Sequence, residues 1–295
     1  MSFQVFSQVL VQASSYDLTD IATAKDELGI PTVDTSNDNF LQRAITQTSK
    51  AIANYCNRIF QVETVCDSFQ MVRDPWHRDF PRNVKSLQLS RWPVVAVKSL
   101  VQDGTVLVEG IDFRVDYDSG RIFCLSQYSS DVVGWAGCNI VVTYLGGYST
   151  RATQSASVPG SPGPYSVTVT NSANFCADGG VTYANGVALL AVTSNPTVGQ
   201  YSVVAGIYTF SAADAAAGVV ISYLYADIPD DLVDAVLRMT VMRYKQKDRD
   251  PMLVSQEQPN VGSRRWWVGT VPGQNGSFPP EIQGLLDSYC VPVAA

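Results

Sequence analysis

Residues 149–226 hold only three charged side chains, Arg151, Asp178 and Asp214, while charged segments lie on both sides. With that stretch removed, Val141-Val142-Thr143-Tyr144-Leu145-Gly146-Gly147-Tyr148 runs directly into Asp227-Ile228-Pro229-Asp230-Asp231-Leu232. A strand would then pass through a glycine turn into a proline-started helix. The sequence therefore reads as a host, 1–148 and 227–295, carrying an inserted β-rich module at 149–226.

A chain of 295 residues has room for one large core or two ordinary ones. With 46% hydrophobic and 16% charged residues it has the composition of a globular fold. A net charge of −7 argues against gripping a nucleic-acid backbone, which takes clustered Lys and Arg. It suits DNA sliding past without sticking. The opening Met1-Ser2-Phe3-Gln4-Val5 lacks the basic and apolar parts of a secretion signal. No run is apolar for the roughly 18 residues that span a bilayer, so a soluble protein made in a cytosol, without membrane contact, is expected.

Helical spacing marks four segments. Leu18, Ile21, Ala24 and Leu28 place a helix at 18–29, capped by Asp17 or Thr19 and stopped by Gly29 and Pro31. Leu41, Ala44, Ile45, Thr48, Ile52, Tyr55, Cys56 and Ile59 form one apolar stripe along 38–58. Leu232, Val236 and Met239, flanked by Val233, Leu237 and Val241, give a third helix at 229–247 that is apolar over a broad arc. Ile282, Leu285, Leu286 and Tyr289 give a fourth at 280–289.

From Phe60 the period falls to two. Strand-like runs separated by turn signals such as Asp103-Gly104 predict an antiparallel β region over 60–148. A Pro/Gly/Ser linker, 155–164, is followed by further strands to Tyr225. Two series correspond. Gly104-Thr105-Val106-Leu107, Asp112 to Val115, Gly120 to Phe123 and Ile140 to Tyr144 are echoed by Gly186-Val187-Ala188-Leu189, Gln200 to Val203, Gly206 to Phe210 and Val219 to Tyr223. Either the chain contains an internal repeat or small hairpin modules simply look alike.

Catalytic chemistry has few candidates. The only histidine is His77, in the polar run Trp76-His77-Arg78-Asp79, so a Ser-His-Asp arrangement would have to use it. There is no P-loop, no dinucleotide fingerprint and no calcium loop. Cysteines 56, 66, 124, 138, 176 and 290 include no C-x-x-C and read as buried free thiols rather than a disulfide framework. No enzyme, cofactor or metal is expected. The singular feature is Arg264-Arg265-Trp266-Trp267, in a segment, 252–278, whose composition reads as loop. Arg and Trp are the residue types that dominate interface hot spots. With the charged run's end, Arg249-Asp250-Pro251-Met252, these four form the expected subunit or portal interface.

The host segments resemble the head–tail connector (adaptor) proteins of tailed bacteriophages. The resemblance is carried by Leu18-Thr19-Asp20 through Leu28-Gly29-Ile30, Leu41-Gln42-Arg43-Ala44-Ile45 through Asn57-Arg58, and Trp92-Pro93-Val94 through Asp103-Gly104. It continues in Ile228-Pro229-Asp230-Asp231-Leu232, Arg249-Asp250-Pro251 and Pro279-Pro280-Glu281-Ile282 with Leu285 to Tyr289. It covers roughly 17–148 and 227–290, in the family's order. It implies an α+β chain: a connector-type helical bundle of about four helices, an antiparallel β region and the inserted all-β module. It further implies a ring, typically of twelve copies, in the virion neck beneath the portal. Such a ring meets tail or neck proteins and lets DNA pass through its lumen without reading it. The insert departs from the family pattern.

A different class of function would follow if the insert were a virion decoration or a receptor- or carbohydrate-binding module, with Tyr183, Tyr201, Tyr208 and Tyr223 stacking on sugars. For the Trp/Arg segment, Trp266→Ala with Trp267→Ala is expected to weaken self-assembly by about 2 kcal/mol or more while circular dichroism stays unchanged. An unfolded double variant would place the pair in a core instead.

Overall fold

The computed structural model describes residues 3–71, 84–126, 128–129, 131–135, 139–247, 255–258, 262–265 and 278–290. The chain forms two compact units, one from 1–13 and 61–227, the other from 14–60 and 228–295.

The first unit begins with β1 (Phe3–Val11), β2 (Glu63–Met71), β3 (Ser86–Gln88), β4 (Val94–Gln102) and β5 (Thr105–Leu107). It continues with β6 (Phe113–Asp116), β7 (Arg121–Leu125), β8 (Val132–Val133) and β9 (Asn139–Gly146). One antiparallel sheet runs β1-β2-β9-β4-β5, and a second runs β3-β7-β6 with β8 on β7. Alternation decides which side chains meet: Ile140, Val142 and Tyr144 of β9 point inward, as do Val65 and Phe69 of β2. They pack against Leu87, Phe113, Val115 and Ile122 of the other sheet and against Trp135.

The chain then turns at Gly147, whose φ of +142° favours glycine and whose missing Cβ would stand 2.5 Å from the Gln61 carbonyl oxygen. Beyond it come β10 (Ser149–Ser157), β11 (Ser166–Thr168), β12 (Phe175–Tyr183), β13 (Leu190–Ala191), β14 (Gln200–Val204), β15 (Ile207–Phe210) and β16 (Gly218–Ala226). They pair as β10-β16-β12 and β11-β15-β14-β13. Val181, Val219, Ile221 and Tyr223 of the first sheet pack on Val167, Tyr201, Tyr208 and Phe210 of the second. This core shares no residue with the preceding one.

The two sandwiches have one topology. β2, β4 and β9 pair as β10, β12 and β16 do, with β9 and β16 central, and every pairing is antiparallel. In the facing sheets β3-β7-β6 corresponds to β11-β15-β14. Both β4 and β12 carry register shifts against their central strand. Three of the four corresponding sequence segments fall on equivalent strands, β6 and β14, β7 and β15, β9 and β16, while 186–189, unlike its counterpart on β5, lies outside the named strands.

A buried carboxylate fixes the corner of the first sandwich. Asp67, fully buried on β2, accepts hydrogen bonds from Ser90 N (2.7 Å), Ser90 Oγ (2.8 Å) and the Tyr144 hydroxyl (2.8 Å). The same Tyr144 oxygen accepts from Arg91 N at 2.9 Å. Ser90 and Arg91 lie where the chain crosses from β3 to β4, so this cluster ties that crossing to two strands of the larger sheet.

The second unit contains α1 (Ile21–Leu28), α2 (Asp38–Cys56), α3 (Asp230–Lys245), β17 (Ser255–Gln258), β18 (Gly262–Arg265) and α4 (Pro280–Leu286), the last followed by a 3-10 turn, Asp287–Tyr289. Asp20 caps α1, its Oδ1 accepting from Thr23 N at 2.7 Å, and Gly29 closes it in the left-handed conformation. The cap therefore falls on Asp20 rather than Asp17 or Thr19. Leu41, Ala44, Ile45, Thr48, Ile52 and Cys56 of α2 are buried, as their spacing requires. α3 packs on α2 and α4 packs on α3, with Leu232, Val236, Met239, Ile282 and Leu286 buried, all distant in sequence. Lys25, almost wholly buried, pairs with Asp38 at 2.6 Å and joins α1 to the start of α2.

The expected class, a connector-type helical bundle with an accompanying β region, is corrected by this architecture. Among the described residues eighteen strands stand against four α-helices, so the described structure is mostly β. The reason is physical. Each of two segments closes its own sandwich, whereas α1 and α4 are two-turn elements of 8 and 7 residues. Strand content also begins earlier than expected, with β1.

Tyr144→Phe should lower stability by about 1–3 kcal/mol, since Asp67 loses a donor and Arg91 N loses its acceptor inside the core. Urea unfolding of the full chain measures it; a change of a few tenths would show that water replaces the hydroxyl without cost.

Candidate assembly surfaces

Two of the eight expected interface residues fall within described structure. Arg264 and Arg265 lie on β18, opposite Gln256 and Ser255 of β17, so part of the segment whose composition reads as loop is a β-hairpin. Arg249, Asp250, Pro251, Met252, Trp266 and Trp267, like His77, lie outside the described residues.

The buried and half-buried acids of the first unit take part in structural bonds. Besides Asp67, Glu63 pairs with Arg91 at 3.5 Å. Asp178 of β12 accepts from the Tyr201 hydroxyl at 2.5 Å, the Tyr208 hydroxyl at 2.9 Å and Gly180 N at 3.0 Å. Asp214 accepts from the Tyr183 hydroxyl at 2.6 Å. Burial, followed by bonding to Asp178, pushes the Tyr201 hydroxyl well above its ordinary pKa; burial and then the Asp178 charge do the same to Tyr208. Among the described residues no group of three or more His, Cys, Asp or Glu could hold a metal ion. No described helix is long and apolar enough to cross a membrane.

The same geometry removes the sugar-stacking tyrosines. Tyr201, Tyr208 and Tyr223 are in the core of the second sandwich, and Tyr183 is half-buried with its hydroxyl committed to Asp214. Their rings meet Phe175 and one another rather than solvent.

Exposed apolar surface concentrates elsewhere. β1 is an edge strand of nine residues with no charge and no proline, and Val5, Phe6, Leu10 and Val11 are 44–59% exposed. Val5 lies opposite Phe69 and Phe6 opposite Ser68, so apolar side chains stand on both faces of the strand. Proteins ordinarily blunt such an edge with charge, proline or cover. The sequence signal for β1 was present, a run of Phe and Val between polar residues, but without a turn motif beside it.

At the opposite edge of that sheet a groove of about 520 Å³ opens between the β4–β5 hairpin and the β7–β8 side. Leu107, Cys124, Leu125 and Val133 line it together with Asp103 and Asp112. Those carboxylates serve local turns: Asp103 Oδ1 accepts from Asn139 N and Asp112 Oδ2 from Val108 N. Burial pushes the Cys124 thiol up. Val106, Val108 and Ile111, each more than half exposed, stand nearby in the chain. This is apolar surface without a catalytic constellation.

α3 adds a third surface. Beyond its buried residues, Val233, Leu237 and Val241 are half-buried along one line at four-residue steps. The apolar arc is therefore wider than its fully buried stripe.

No family model and no curated protein matches the chain. Two solved structures align with it over most of its length. One is the neck of an empty GTA particle computed with C6 symmetry, at 12% identity and a TM-score of 0.38. The other is the neck of a native GTA particle computed with C12 symmetry, at 11% identity and a TM-score of 0.35. Each alignment covers 98% of this chain and 97% of the other. TM-scores this low establish neither a shared fold nor a shared role.

For the β1 edge, Phe6→Lys should leave the melting temperature within about 2 °C, because an exposed surface substitution typically costs no more than ~0.5 kcal/mol. Self-association read by light scattering should fall. Unchanged association across concentrations would clear β1 of any role in assembly.

Proposed function

We propose that the chain is a structural virion protein, a head–tail connector subunit that assembles as a ring between portal and tail and extends the DNA channel. The observation that carries this is the chain's division of labour. Segments 14–60 and 228–295, which hold most of the connector-like motifs, form one compact unit although 61–227 separates them. A host fold interrupted by β structure has that organisation. The module at 149–226 is an insertion whose strands pair only with one another among the described residues and whose core is its own.

A ring subunit needs two different sticky surfaces, since a heterologous contact must be met by its complement on the next copy. The exposed edge of β1 and the apolar groove beside β5 lie at opposite edges of one sheet. A net charge of −7 suits a lumen through which DNA slides. Neither chemistry nor a cofactor is needed for such a role. The decoration or carbohydrate-binding alternative loses its sugar-stacking support with the burial of Tyr201, Tyr208 and Tyr223.

Native mass measurement tests the proposal. Alone or mixed with its portal protein, the chain should form a closed oligomer whose mass is a whole multiple of 32.0 kDa, twelve copies being expected. Imaging should place that ring at the particle neck. A chain that stays monomeric at every concentration and joins neither portal nor tail components would overturn it.

A further inference from the structure

The end of α2 and the turn after α4 bring two cysteines together. Cys56, the last residue of α2, is fully buried; Cys290, following the turn Asp287–Tyr289, is half-buried. Their Sγ atoms lie 3.8 Å and 3.5 Å from one acceptor, the carbonyl oxygen of Leu286. Cys290 Sγ also lies 3.9 Å from the carbonyl oxygen of Tyr55, the residue before Cys56. The two thiols thus converge on one carbonyl oxygen. Two flanking contacts hold the segments in this register: the Tyr55 hydroxyl donates to Asp287 Oδ1 at 2.9 Å, and the Phe60 ring meets Tyr289 edge to face.

We propose that Cys56 and Cys290 are a disulfide-forming pair, a modification site that staples the chain's C-terminal segment to α2 when the protein meets an oxidant. Cys124 and Cys176 differ in this respect: Cys124 donates to the Leu125 carbonyl and Cys176 to that of Asn174, each within its own stretch of chain.

Exposure assigns the order of events. Burial, with the neighbouring Cys290 next, pushes the Cys56 thiol up to about 12, so it is not the group that reacts first. Cys290, the more accessible, attacks one sulfur of a small disulfide such as oxidised glutathione; one glutathione leaves as a thiolate and takes a proton. Cys56, deprotonated as it reacts, then attacks the Cys290 sulfur of the mixed disulfide and releases the second glutathione. The pair loses two protons and two electrons, and the oxidant is reduced to two thiols. The resulting bond closes a loop containing all of 57–289, and in the chain-entropy account long loops are stabilised most. The pair is a property of the folded chain, whether or not it builds a ring.

The test uses the purified full chain, folded under reducing conditions and then exposed to oxidised glutathione. After denaturation and alkylation, two of its six thiols should be lost, and peptide mapping should join Cys56 to Cys290. The melting temperature should rise by about 5 °C or more, and either Cys56→Ala or Cys290→Ser should abolish the rise. Cys56→Ala should in addition trap glutathione on Cys290, a signature that a merely destabilised variant would not show. Both sulfurs remaining alkylatable after oxidation of the native chain, a link between other cysteines, or a link that forms only in denaturant would each overturn the proposal.

Discussion

Each sandwich is fastened by a carboxylate, fully buried at Asp67 and half-buried at Asp178. Asp67 receives Ser90 and Tyr144 at the crossing from β3 to β4. Asp178, on β12, receives Tyr201 and Tyr208 from the facing sheet. A buried charge is tolerated only when donors satisfy it, so each acid dictates the rotamers of the tyrosines around it and the register of the strands that carry them. This explains the poverty of charge in 149–226. Two of its three charged side chains, Asp178 and Asp214, are internal fasteners, and the remaining one, Arg151, is exposed on β10.

The pairing scheme common to the two sandwiches was legible because it rests on local patterns. Alternation placed β6, β7 and β9, and again β14, β15 and β16, while glycines marked the turns between them. Gly146-Gly147 marked the seam, where the backbone passes too near Gln61 for a side chain. The dominance of β structure was not legible. Resemblance weighted the helical motifs, and two features that raise the strand content lack local punctuation: β1, without a turn signal, and β10, whose Ser and Thr residues look like the start of the linker that follows. The segment around Arg264 and Arg265 reads as loop by composition, whereas β17 and β18 pair within it.

The helical unit poses the opposite problem. Its helices are evident in the sequence, but none can bury its stripe alone. α1 is too short to persist unpacked, and α2 packs on α3, which arrives after 167 intervening residues of the other unit. The helical unit therefore rests on long-range contacts, whose closure is costly in entropy. Tyr55 to Asp287 and Phe60 to Tyr289 are such closing contacts, and Cys56 with Cys290 lies among them.

For a ring subunit of the kind proposed, that arrangement would separate two demands. The second sandwich closes within one contiguous stretch of chain, and the first does so apart from β1, which joins it from before the helical segment 14–60. Their outer surfaces are consequently free to differ, as the bare apolar edge of β1 and the polar face of β10 do. The helical unit has no such freedom, because its surface residues on α3 extend the same arc that builds its core. A contact there changes what covers Leu237 and Val241, whereas a contact at β1 adds a strand without disturbing the core. A subunit that must fold alone and then assemble gains from placing its sticky surface on the edge of a sheet already closed by Asp67 and Tyr144.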